Sequence, residues 1–114
     1  MKTSKAFPSK YLKADDLDDH DWTVTIKGVF MDNIGTEEKP QHKMIIDLEE
    51  FTKGFVVNKT NCNQIEKILK SDETDNWIGE KIAIWPNHDV EFKGEIVSAI
   101  RVRSKLPTDV EAPF

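Results

Sequence analysis

KGFVVNKTNCNQIEKIL, residues 53–69, changes its hydrophobic period at Asn58. Before that residue the pattern is a strand's: Phe55, Val56 and Val57 are aromatic or β-branched, types that fit a pleated, half-buried surface. After it, Cys62, Ile65, Ile68 and Leu69 recur at spacings of three and four, one apolar stripe on a helix. Asn58 suits the cap, because its side chain can accept from the free amides of the first helical turn. A short strand at 53–57 therefore feeds straight into an amphipathic helix.

Two more strands lie upstream. Residues 22–32 (WTVTIKGVFMD) alternate, with Trp22, Val24 and Ile26 on one face and Thr23, Thr25 and Lys27 on the other. Gly28 in mid-strand predicts a bulge or sharp bend. Residues 33–40 (NIGTEEKP) read as a loop, and 41–49 as a second strand with Met44, Ile46 and Leu48 inward. Downstream, 71–76 (SDETDN) end the helix and Trp77-Ile78-Gly79 lead into a strand at 80–86. On that strand Ile82 and Ile84 point one way, and Lys81, Ala83 and Trp85 the other. Pro86–Asp89 predict a turn, and Val90–Phe92 a short hairpin arm turned by Lys93-Gly94. Residues 95–104 form the last strand, with Ile96, Ile100 and Val102 inward and Arg101 and Arg103 outward.

Three strands, one helix and a closing hairpin is the element order of the OB-fold, a five-stranded Greek-key barrel. The expected fold is thus mostly β: an OB-like barrel over 22–105 with one helix between strands 3 and 4. An α+β meander with a covering helix has the same order. Residues 1–21 read as an irregular lead-in, anchored by Phe7-Pro8 and Tyr11-Leu12, with one helical turn at 13–17. Residues 106–114 read as a flexible acidic tail.

Composition limits what this domain can do. The 114 residues include 38% hydrophobic and 32% charged, enough for one small core. No apolar run approaches the ~18 residues of a membrane helix. Nothing after Met1-Lys2-Thr3-Ser4-Lys5 resembles a secretory signal, so the expected compartment is the cytoplasm. The single Cys62 excludes an internal disulfide and a Cys-based zinc site. The net charge of −5 is unevenly spread: residues 1–14 carry four Lys and no acid, and 15–21 carry five Asp. Duplex DNA binders show a basic excess, and here only Arg101, Arg103 and Lys105 form a basic stripe.

No catalytic constellation is visible by spacing. From Asp16 an EF-hand register puts Asp21 where the turn glycine belongs, so the five-Asp cluster reads as a solvated turn. His20, His42 and His88 show no short metal-ligand pairing. Cys62 lies on the apolar stripe and reads as a core residue. No cofactor, metal or enzymatic activity is expected.

The aromatics carry more. Binding a single strand without sequence preference needs rings on which bases stack, beside cations that follow the backbone. Trp85 falls on the outward phase with Lys81; Phe92-Lys93 sit in the last hairpin; Phe55 stands near Lys53; Lys43 lies on strand 2. With Arg101 and Arg103 these are the candidate nucleic-acid-binding residues.

The tail, LPTDVEAPF, places Asp109 and Glu111 before Pro113-Phe114. It resembles the tails of bacterial single-stranded DNA-binding proteins, which end in acidic residues and then Pro-Phe. The resemblance implies partner binding through Asp109, Glu111, Pro113 and Phe114: the ring enters an apolar pocket and the acids steer toward a basic partner. The match is partial, with two acids and no Gly/Pro/Gln-rich linker. The segments FPSKYLKADDL, NKTN and NWIGEKIAIWP also look like a group of small phage and prophage proteins, some encoded near replication or recombination genes. The expectation is a phage-type single-stranded DNA-binding protein in the cytoplasm of a bacterial host, recruiting host or phage replication and repair proteins through its tail. The competing expectation is a protein-interaction module, such as a phage inhibitor or assembly factor, which the acidic balance favours.

Overall fold

The computed structural model describes residues 10–105. The tail residues Asp109, Glu111, Pro113 and Phe114, and the Phe7-Pro8 anchor, lie outside them. Five antiparallel strands form one sheet in the order β3-β2-β1-β4-β5. They are β1 (Trp22–Asn33), β2 (His42–Leu48), β3 (Phe55–Val57), β4 (Lys81–Phe92) and β5 (Glu95–Val102). The helix α1 (Lys59–Leu69) joins β3 to β4, and 3-10 turns occupy Ala14–Leu17 and Thr74–Trp77. A mostly β domain with one helix after its third strand is what the pattern predicts.

β1 is long because it serves two partners. Residues 22–25 pair with β4, and from Gly28 onward the strand pairs with β2. The ladder slips between Ile26 and Gly28, the bulge that the glycine predicts. The extra residue flips the alternation. Val24 and Ile26 face the core before it, whereas Val29 does so after it, and Phe30 turns outward.

The core lies between the inner face of the sheet, α1 and the lead-in. Leu17, Val24, Ile26, Ile46, Ile65, Ile82 and Ile84 are fully buried together with Phe55 and Trp77. Cys62 and Leu69 are only half-buried at the margin of the stripe, and burial pushes the Cys62 thiol up from its ordinary value. α1 starts as predicted, with Asn58 Oδ1 accepting from the Asn61 amide at 2.8 Å. It ends at Lys70 in the left-handed conformation.

The two sheet edges, β3 and β5, are covered by other parts of the chain. The Asn61 amide donates to Ile100 O at 2.8 Å and its Oδ1 accepts from Val102 N at 3.3 Å, so one buried side chain stands in for a neighbouring strand. On the other edge the lead-in pairs with Gly54: Leu12 N donates to Gly54 O at 2.7 Å and Gly54 N to Lys10 O at 3.1 Å.

Two expectations need correction. Pro86–Asp89 do not turn the chain; β4 runs through them to Phe92, with its register slipping between Asn87 and Val90. Ile96, expected inward, is 66% exposed, because the outer half of the β4–β5 hairpin extends past the core.

Candidate nucleic-acid interface

The outer face of the β4–β5 hairpin gathers most of the candidate residues. Trp85 is half-buried and pairs across the ladder with Arg101. The Arg103 guanidinium lies 4.3 Å from the Trp85 ring centroid, within cation–π range. Arg103 also donates twice to Asp21, from Nε at 2.8 Å and Nη2 at 2.9 Å. Those hydrogen bonds hold the Asp21 carboxyl below its ordinary value and raise Arg103. Arg101 buries its Nη1 with no hydrogen-bond partner among the described residues.

At the hairpin tip Lys93 and Gly94 both have positive φ, +52° and +82°, the pattern of a two-residue primed turn. Phe92 is 60% exposed there, with Lys93 Nζ 5.3 Å from its ring centroid. The 85, 90, 92 phase of β4 and the 97, 101, 103 phase of β5 share this face, with half-buried Val90 and Val97 between tip and tryptophan.

The other candidates lie elsewhere. Lys81 is on the same outer phase as Trp85 and donates to Thr25 Oγ1 at 3.0 Å, while that hydroxyl donates to Glu50. Lys43 is exposed at the start of β2, opposite Asp32. Lys53 is held by Asp16 at 3.2 Å. Phe55 is a correction: at 1% exposure it packs inside the core and offers no ring face, because its position on β3 is opposite Ile46 on the inner side.

Sequence reasoning missed a second outward cluster. Phe30, 44% exposed, pairs with Ile45, which pairs in turn with Val56. The Tyr11 hydroxyl donates to Asp32 at 3.0 Å, and Lys10 sits 5.1 Å from the Tyr11 ring. The Tyr11 hydrogen bond keeps the Asp32 carboxyl below its usual range. Unbroken alternation from Val24 and Ile26 carries Phe30 inward; the Gly28 bulge was the signal that reverses it.

Among the described residues no group of His, Cys, Asp and Glu is placed to hold a metal ion, and no helix is long and apolar enough to cross a membrane. Comparison of the chain with protein-family models, with curated proteins and with solved structures finds no match.

Proposed function

We propose that the protein binds single-stranded DNA along the outer face of the β4–β5 hairpin. One observation carries the reading: a ring on the outer face, Trp85, has Arg101 across the ladder and Arg103 against it, with Phe92 and Lys93 at the far end of the same face. Bases stack on Trp85 and Phe92 at about 1–3 kcal/mol per base. Arg101, Arg103 and Lys93 receive phosphates, and Lys81 extends the track along β4. Arg103 exchanges the Asp21 carboxylate for a phosphate as a base approaches Trp85. The strand order supports the same reading. β3-β2-β1-β4-β5 is the order of a five-stranded Greek-key barrel opened between β3 and β5, and such barrels bind oligonucleotides.

By its resemblance, the segment 106–114 recruits replication or repair proteins through Asp109, Glu111, Pro113 and Phe114. The setting proposed is the cytoplasm of a phage-infected or lysogenic bacterium. A second reading, a protein-interaction module, is favoured by the net charge of −5 and by carboxylates already paired with Lys10, Lys53 and Arg103.

Titration of tryptophan fluorescence with oligo-dT across a salt series separates the two. The DNA reading expects quenching and a log K against log[salt] slope of about −2, from three phosphate contacts at ~0.7 each. No quenching with micromolar protein in 50 mM salt supports the interaction module instead.

A further inference from the structure

Three residues distant in sequence meet outside the proposed interface. His88 Nδ1 lies 2.7 Å from Ser98 Oγ, and His88 Nε2 lies 2.9 Å from Asp19 Oδ1. The carboxylate decides the tautomer. An ionised carboxylate only accepts, so Nε2 carries the proton and donates to Asp19. Nδ1 is left with its lone pair toward the Ser98 hydroxyl, which donates. That is the sequence of roles orienting acid, base and nucleophile, with the two ring nitrogens interchanged relative to the familiar serine-protease arrangement.

Two irregularities of the backbone build the cluster. The register slip between Asn87 and Val90 sets His88 against Ser98. Bulges of this kind re-aim side chains. Asp18 and Asp19 are both left-handed, φ +53° and +59°, which turns the chain so that Asp19 reaches the imidazole. Ser98 also lines an open cavity of about 360 Å³ between the β3 and β5 edges, with Leu12, Phe55 and Ile100 as apolar wall and Asn58 among its polar groups. Asn58 uses Oδ1 for the helix cap, and its Nδ2 has no partner among the described residues.

We infer that Ser98 is a nucleophile activated by His88, and that it accepts a short acyl group from a small ester bound in this cavity. Ser98 Oγ bonds to the ester carbonyl carbon while its proton passes to His88 Nδ1. The tetrahedral adduct collapses, the carbon–oxygen bond to the alcohol breaks, and the leaving oxygen takes that proton from Nδ1. Water repeats the two steps, releasing the carboxylic acid and restoring the Ser98 hydroxyl. Asp19 is a positioning residue that holds the imidazole and stabilises its charged form. None of these residues belongs to the proposed DNA face, so the inference stands apart from that reading.

A fluorophosphonate probe, which phosphonylates Ser98 with loss of fluoride, tests it on the full-length chain by peptide mass mapping. The expected result is an adduct on Ser98 in preference to Ser4, Ser9, Ser71 and Ser104, slowed about a hundredfold in His88→Ala, the lower range for a general base. Asp19→Asn slows it less, and Asp19→Glu restores it, which a packing role would not produce. An adduct spread equally over the five serines of the chain, or Ser98 labelling unchanged in His88→Ala, overturns the proposal. The wild-type site preference decides the matter even where a variant fails to fold.

Discussion

Arg103 is shared between a ring and a carboxylate, and the proposed interface turns on that sharing. A phosphate at this position competes with Asp21. Asp21→Asn removes the competitor, so oligo-dT affinity rises severalfold while stability falls by no more than about 1 kcal/mol, the usual range of an exposed pair. Fluorescence titration and a urea melt read the two effects separately. The pH sign follows from Asp21 being held below its ordinary value. Its contribution is present above the unfolded carboxyl pKa of about 3.9 and is lost as pH falls through the lower folded value, so the wild-type advantage over Asp21→Asn shrinks in acid. Trp85 and Phe55 make opposite predictions. Trp85→Ala weakens oligo-dT by about 1–3 kcal/mol and leaves cooperative melting intact. Phe55→Ala destabilises the fold by about 3–5 kcal/mol. Strand alternation made Trp85 legible, since one phase of β4 carries Ile82 and Ile84. Phe55 was misread because β3 is flanked by polar residues and too short for a phase to show.

The elements show where pattern reading holds and where it stops. α1 was legible because a cap and a stripe of period 3.6 agree, and because Asn58 performs the capping. Asn61 was not. Nothing in its spacing says that a helical amide pairs with the edge of β5, 39 residues away. Asn61→Ala leaves Ile100 O and Val102 N without partners in the interior, so a loss of about 2–4 kcal/mol is expected in a thermal or urea melt. β4 was cut short in the reading because Pro86 looks like a stop. Its missing amide is harmless here. Ile100, its partner, directs its carbonyl away from β4 to Asn61, so the pair is a non-hydrogen-bonded one. Pro86 therefore faces the side where β1 has already ended at Trp22. Position in the sheet, which no local pattern carries, decides whether a proline breaks a strand.

At the scale of the whole molecule, charge and segment order matter together. The chain is acidic; Lys10 and Lys53 are paired with carboxylates, whereas Lys93, Arg101 and Arg103 gather on the β4–β5 hairpin, Arg103 being shared with Asp21. The order of strands and helix along the chain was legible because the stretches between β1 and β2 and between the helix and β4 are rich in loop-forming residues. The gathering of Asp19, His88 and Ser98 was not, since it depends on a bulge and a left-handed turn. For the proposed tail function, deleting Pro113-Phe114 is expected to leave the melting curve and oligo-dT affinity unchanged and to remove replication or repair proteins from a host-lysate pull-down. The most direct test of the DNA-binding claim is residue-resolved NMR of the full chain titrated with oligo-dT. The predicted result is shifts concentrated at the Trp85 indole and at Phe92, Lys93, Arg101 and Arg103. Shifts confined to the Phe30 and Tyr11 face, or none at saturating oligonucleotide, would contradict it.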